Sequence, residues 1–341
     1  MANFPKRAAL ILTFAFILTT TFSCRYDRSG LPIGDISADV TAVTDPDGIT
    51  ASDTPAAIEV VVTFNALFEL ALTVGGGRVG AANIMPPGAE AHHFEPGARD
   101  LSLLSTADVF LVCGLGFDPW AESAVNAAGN VGMIVCDVSR GIEPIALFEE
   151  SGNGQREMDA GQPGDGGRED HEGRFDPHIW LSPTCAKIIA ENIRDAFIES
   201  DPDGAECYAR NFNELAKNLD GLYKEYSEKF EVLENKTIVT GHAVFAYLCR
   251  DFGLSQNSVE GVFAEGEPSA RALAGLIDFC RANGITTILT ESTESSLVAE
   301  TLASEAGAAV MTIYTMENAE DGLSFIERME RNLEIIYKSL Q

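Results

Sequence analysis

The chain lacks the features on which several common protein classes depend. Its 341 residues hold 23 Lys and Arg against 52 Asp and Glu, which gives a formal net charge of -29. A surface of that sign repels nucleic acid and anionic lipid, so neither is expected as a binding partner. The sequence has no Walker A motif and no G-x-G-x-x-G after a predicted strand, and nucleotide binding is therefore unsupported.

Two zinc motifs are also absent. No two cysteines are spaced C-x-x-C, which argues against a cysteine zinc knuckle, and there is no H-E-x-x-H of the kind found in zinc hydrolases. The six cysteines that follow Cys24 include several in apolar runs, such as Cys113, where a thiol behaves as a small core residue. Oxidation of some of them stays open, because no pairing can be read from the sequence.

The N-terminal residues follow the pattern of an export signal. Lys6 and Arg7 precede an uncharged apolar run, Ala8–Leu18, which is too short to span a bilayer comfortably. We predict a signal peptide over residues 1–23. The protein is then expected outside the cytoplasm, in a periplasm or at the cell surface.

Cys24 is a candidate site of lipid attachment. It directly follows Ser23, and in a lipoprotein signal such a thiol is acylated and becomes the mature N-terminus. Thr21 stands where Leu is usual, so ordinary cleavage and release is the alternative. Residues 24–56, rich in Asp, Gly, Pro, Ser and Thr, are predicted to form a flexible tether.

From residue 57 short β-branched runs alternate with segments of helical period, a pattern that predicts parallel βαβ units. A helical stretch with a break at 201–204 separates two such series. We predict an α/β fold of two lobes, each with a parallel sheet flanked by helices. The expected parts are a first lobe over 57–182 with a mobile acidic loop at 149–173, a helical linker over 183–234 and a second lobe over 235–341. The predicted strands are Ile58–Phe64, Val79–Met85, Val109–Cys113, Met133–Val138, Thr237–Thr240, Gln256–Val262, Thr286–Thr290 and Ala309–Ile313.

Histidine is scarce, and its placement is informative. In open α/β sheets ligands bind at the carboxyl ends of the strands, where four of the five histidines are predicted to lie. Three imidazoles with a carboxylate or a water would complete a tetrahedral zinc site. Glu291 follows a predicted strand and is the natural carboxylate ligand. The alternative interpretation is that Glu291 is only an acidic residue stabilised by the dipole at the N-terminus of the next helix. The five histidines are His92, His93, His171, His178 and His242.

Six segments form a recognisable series of motifs along the chain. They are Pro86–Pro96, Leu111–Trp120, Asp176–Pro183, Thr240–Leu248, Glu267–Ser269 and Arg331–Leu333. In this order they resemble motifs of the zinc and manganese substrate-binding proteins of ABC importers. Two of them are similar to the family's D-P-H metal motifs, and a third matches the position at which zinc members carry His. The resemblance covers about residues 57–341.

The resemblance implies both a fold and a function. A long rigid backbone helix would join the lobes, and Zn²⁺ would be bound in the cleft between them by His92, His178 and His242, with His93 as a neighbour. The protein would act as a monomer and deliver the ion to an ABC permease. The fourth ligand stays open between Glu291, Glu294, Ser295 and a water.

Three other functions are compatible with the same residues. Manganese or iron could bind in the same fold, although the nitrogen of His242 in place of a carboxylate favours zinc. A secreted zinc hydrolase would also suit three histidine ligands and an open fourth coordination position, but no sequence motif indicates a general base. An adhesin or structural surface lipoprotein would use the metal only to stabilise its fold.

Overall fold

The computed structural model describes residues 56–89, 94–147, 175–261, 269–291, 297–318 and 322–341. The predicted signal peptide, Cys24, nearly all of the predicted tether and the acidic loop at 149–173 lie outside these ranges. Within the described ranges, no helix combines the length and the apolar character that crossing a membrane requires. The six cysteines of these ranges are all free thiols, so the oxidation left open by the sequence is not seen.

The first half of the fold is a four-stranded parallel sheet in the order β2-β1-β3-β4. All four predicted strands are confirmed, each one or two residues shorter at its carboxyl end. A helix that the sequence pattern did not predict begins after Gly97, whose amide donates to the Asp100 carboxylate at 2.7 Å in a capping arrangement. The elements are β1 (Ile58–Val62), α1 (Asn65–Gly75), β2 (Val79–Asn83), α2 (Ala98–Leu104), β3 (Val109–Val112), α3 (Ala121–Ala128) and β4 (Ile134–Asp137).

Two long helices follow, α4 (Pro183–Ser200) and α5 (Ala205–Glu231). The predicted break between them is confirmed as a short 3-10 turn, Pro202–Gly204. Pro183 occupies the first turn of α4, where its missing N–H costs no hydrogen bond, and the Ser182 hydroxyl accepts from the Cys185 amide. These two features explain why the helix begins where it does.

The second half repeats the first, with a parallel sheet in the order β6-β5-β7-β8. Only β8 of this sheet has the predicted bounds. Strand β5 runs on to His242 and β7, which begins one residue late, to Glu291, because these residues still pair with Glu260 and Ile313 on the neighbouring strands. His242 and Glu291 are therefore the last residues of strands, not residues that follow them. Strand β6 begins one residue before its predicted start and ends at Glu260, and the predicted end, Val262, lies outside the described residues. The elements are β5 (Thr237–His242), α6 (Ala246–Phe252), β6 (Ser255–Glu260), α7 (Ala270–Ala282), β7 (Thr287–Glu291), α8 (Leu297–Ala306), β8 (Ala309–Ile313) and α9 (Phe325–Ser339).

One hydrophobic core joins the two halves. Helix α5 packs on α1 of the first half and on α6 and α9 of the second. Its buried face repeats every three or four residues, and each large side chain on it contributes roughly 1.5–3 kcal/mol through burial. The two sheets therefore pack on one shared core. The buried side chains of this face include Tyr208, Phe212, Leu215, Leu219, Leu222, Tyr226 and Phe230.

Candidate metal site

His178 lies wholly buried just before α4, and the Asp176 carboxylate fixes its orientation. One oxygen of Asp176, which is also 0% exposed, accepts from the His178 amide at 2.9 Å and lies 2.8 Å from its Nδ1. The tautomer that fits this contact donates from Nδ1, because an ionised carboxylate can only accept. That tautomer has its lone pair on Nε2, the arrangement that metal-binding histidines typically show.

His242 contacts the His178 ring edge to face, with ring centroids 5.3 Å apart at 87°. Its position at the end of β5 is secured through its carbonyl, which accepts from the Thr240 hydroxyl at 2.6 Å and from the Gln256 side-chain amide at 3.0 Å. The residue is 3% exposed. Two imidazoles from different halves of the fold therefore meet in one buried place.

Glu291 lies beside His242 and is 5% exposed, and its Oε1 accepts from the His242 amide at 3.1 Å. Gly241 makes this approach possible, because a Cβ at that position would lie 2.5 Å from the Glu291 Oε2. Strands β5 and β7 are neighbours at the point where the strand order reverses, which is where ligands bind in open α/β sheets.

Glu317 is a fourth side chain at this place, and the sequence patterns did not single it out. Its Oε1 lies 3.8 Å from the Nε2 of His178. The residue before it, Met316, is buried and has a φ of 61°, a conformation that L side chains rarely adopt. The one sequence signal available was its place four residues after the confirmed strand β8.

The structure thus brings His178, His242, Glu291 and Glu317 to one buried region. Within the described ranges, which omit His92, no three His, Cys, Asp or Glu side chains form a group able to hold a metal ion. The other candidates of the sequence, His92, His93, His171, Glu294 and Ser295, lie outside the described residues.

A buried acid, Asp118, supports the loop that follows β3. Its carboxylate accepts from the amides of Cys113 and Gly114 at 2.7 and 3.2 Å, and the Cys113 thiol donates to the Pro177 carbonyl at 3.6 Å. The loop contains Leu115 at a φ of 56°, so these hydrogen bonds hold a strained turn next to the His178 segment. Burial raises the pKa of Asp118 from 3.8 to about 6, although the two amides lower it.

We expect this raised pKa to appear as a pH dependence of stability. The folded state binds its proton more tightly than the unfolded state does, so the contribution of Asp118 is present at low pH and is lost as the pH rises through about 6. Relative to Asp118→Asn, which does not titrate, the wild type should gain about 2 kcal/mol in free energy of unfolding between about pH 7 and about pH 4. Denaturant unfolding of both proteins at the two pH values measures the difference, and a constant difference would contradict the prediction.

Two repeated parallel sheets with a common core, and a buried imidazole–carboxylate cluster where the strands end, define a two-lobed α/β solute-binding protein. The chain belongs to the family of the periplasmic component A of zinc-uptake complexes, whose model matches residues 60–339. This confirms the resemblance seen in the sequence.

The chain is similar to proteins from several bacteria. It is 39% identical to a putative metal-binding protein of Treponema pallidum over 89% of this chain and 92% of that one. It is 31% identical to the high-affinity zinc uptake system protein ZnuA of Bacillus subtilis, over 83% and 88% of the two chains. A streptococcal zinc-binding protein, AdcA of Streptococcus pyogenes, is 30% identical, and the chain spans 55% of its length.

A solved structure is similar across nearly the same region. It is the laminin-binding protein Lmb of Streptococcus agalactiae, described as bifunctional with adhesin and metal-transporting activity. The TM-score is 0.71 at 27% identity, and the match covers 83% of this chain and 100% of that one. The two-lobed fold predicted from the sequence is confirmed.

Proposed function

We propose that this protein is the extracytoplasmic zinc-binding component of an ABC importer. It binds Zn²⁺ between its two halves with His92, His178, His242 and a carboxylate, for which Glu291 is the candidate from the sequence. It then delivers the ion to the membrane permease. The observation that carries the proposal is the buried contact between the two imidazoles, one from each half, with carboxylates on either side.

The chemistry of these side chains favours zinc. Nitrogen ligands suit Zn²⁺ better than the harder Mn²⁺, which prefers oxygen. A buried imidazole whose Nδ1 is held by Asp176 is preorganised to offer Nε2 to a metal ion. Because ligand nitrogens must be deprotonated, acid releases such an ion, so binding is reversible. No step of this function needs bond making or breaking, and we do not assign an enzymatic activity.

A competition titration on metal-stripped protein tests the proposal. We expect one Zn²⁺ to bind per chain, at least about 100-fold more tightly than Mn²⁺, in line with the general order of divalent metal affinities. The stripped protein should stay folded and rebind zinc, because a common core and not the metal joins the halves. Tighter binding of Mn²⁺, or unfolding on removal of the metal, would contradict the proposal.

The carboxylate ligand can be identified with two matched variants. Glu291 already accepts a backbone hydrogen bond from His242, whereas Glu317 lies against the metal-binding edge of His178. We expect Glu317→Gln and Glu291→Gln to differ in Zn²⁺ affinity, and the ligand's variant to lose roughly tenfold or more. The same competition titration measures both, and wild-type affinity in the two would exclude both carboxylates and leave Glu294, Ser295 or a water as the fourth ligand.

Two finer properties belong to the same proposal. Cys24 would carry the lipid that attaches the protein to the membrane. The mass of the exported protein would show the lipid, and Cys24→Ala would abolish its attachment.

An adhesin role is a second candidate function, favoured by the similarity to Lmb. Binding of metal-free and zinc-loaded protein to immobilised laminin tests that role separately from transport.

A further inference from the structure

The segment Tyr314–Asn318, which leaves the end of β8 and contains Glu317, is held by contacts from several elements. From the second half, α9 contributes Asn332. From the first half and the His178 segment, the contacts come from α1, from the loop after β2 and from Trp180. The segment is therefore contacted from both halves of the fold.

Asn332 is the anchor on the side of α9. It is 1% exposed, and its side-chain amide accepts from the Tyr314 N–H at 2.9 Å and donates to the Tyr314 carbonyl at 2.7 Å. The Asn332 side chain thus satisfies both the N–H and the carbonyl of Tyr314, as the backbone of a neighbouring strand would. The segment Arg331–Leu333 was singled out in the sequence, and no part of the proposed zinc chemistry uses it.

Asn318 is the anchor on the other side. Its Oδ1 accepts from the Gly88 amide at 2.8 Å, and its Nδ2 lies 3.5 Å from the Ala89 carbonyl. Residues 88 and 89 belong to the loop that follows β2 and are the last described residues before the gap at 90–93. Between the two asparagines, the Trp180 indole donates to the Thr315 carbonyl at 2.7 Å, and the Asn65 amide donates to the Glu317 carbonyl at 3.2 Å.

The contacts hold Met316 in a backbone conformation that its local preference disfavours. A non-glycine residue at a φ of 61° persists only where the surroundings over-determine it. In this conformation the carboxylate of the next residue faces the Nε2 of His178. Loss of an anchor would let Met316 relax and turn Glu317 away.

We propose that Asn332 and Asn318 are positioning residues for the zinc site. They hold the strained segment Tyr314–Asn318 so that Glu317 faces His178, and they thereby slow the release of zinc without touching the ion. This inference rests on the proposed function. Partners that orient metal-binding groups typically change metal affinity by roughly 10- to 100-fold when they are removed.

Stopped-flow release of zinc into excess chelator tests the proposal on Asn332→Ala and Asn318→Ala. The matched control is Asn192→Ala, whose amide also bridges two backbone carbonyls, those of Val138 and Arg140 at 2.9 Å each, but lies more than two turns into α4. We expect release to be roughly tenfold faster or more in the first two variants and within about twofold of wild type in the control.

A second readout does not depend on metal. In a Trp120→Phe background the remaining tryptophan, Trp180, reports on the segment through its hydrogen bond to Thr315, so the two variants but not the control should shift its emission in metal-free protein. If Asn332→Ala fails to fold, Asn318→Ala carries the test. Unchanged release rates and emission would overturn the inference while the wild type still binds zinc. A wild type that binds no zinc would overturn the proposed function as well.

Discussion

Alanine at His178 or His242 is expected to weaken zinc binding by roughly 100- to 1,000-fold. The reason is that the binding free energy of a tightly bound zinc ion, about 10–16 kcal/mol, is shared by four ligands, of which alanine removes one. His92→Ala should behave in the same way, because the sequence motif assigns it the same role. Competition titration against a chelator of known affinity measures the loss. His171→Ala and His93→Ala are the matched controls, and both should stay within about twofold of wild type.

The buried position of the two rings demands a check on folding. His178 is 0% exposed and His242 3%, so alanine leaves a cavity as well as removing a nitrogen. Denaturant unfolding of the metal-free variants separates the two effects, because a cavity lowers the free energy of unfolding without zinc and a lost ligand lowers only the part that zinc adds. Native affinity in all three variants would show that the zinc site lies elsewhere.

Elements with strong local signals could be predicted from the sequence. The break between α4 and α5 follows from Pro202 and Gly204, since the first lacks an N–H and the second disfavours a helix. Strand β8 has the predicted bounds, Ala309–Ile313. The strand-end position predicted for His242 is confirmed, whereas His178 lies outside both sheets, three residues after an isolated bridge at Phe175, so only its motif indicated it correctly. Strand ends were less predictable: Gly241 suggests a break, yet pairing with a neighbouring strand carries β5 to His242.

Glu317 illustrates what the sequence could not supply. The chain has 52 acidic residues, and apart from its place four residues after β8 no local pattern distinguishes this one from the rest. Its position depends on Trp180, Asn332 and the start of α1, which are distant in sequence and meet only in the folded chain. The strained φ of Met316 has the same origin, because local preference alone opposes it. Tertiary contacts decide such features, so they follow from the structure and not from periodicity.

Asparagine at Asp176 is expected to weaken zinc binding by about tenfold and alanine by about 100-fold, which separates two effects of this carboxylate. Asparagine can still accept from the Nδ1 of His178 through its Oδ1, so the tautomer and the ring orientation survive while the negative charge is lost. Alanine removes both, and the ring can then turn or place its proton on Nε2. The competition titration used for the histidine variants measures both affinities.

The matched control is Asp118, a second buried acid of the first half that accepts hydrogen bonds from backbone amides. Asp118→Asn and Asp118→Ala should change stability but leave zinc affinity within about twofold, because the hydrogen bonds of Asp118 go to Cys113 and Gly114 and not to an imidazole. Equal losses for the two Asp176 variants would assign its effect to charge alone. Affinity unchanged in both would mean that the hydrogen bond between Asp176 and His178 does not prepare the ring for metal, and that His178 is positioned by packing against Trp180 instead.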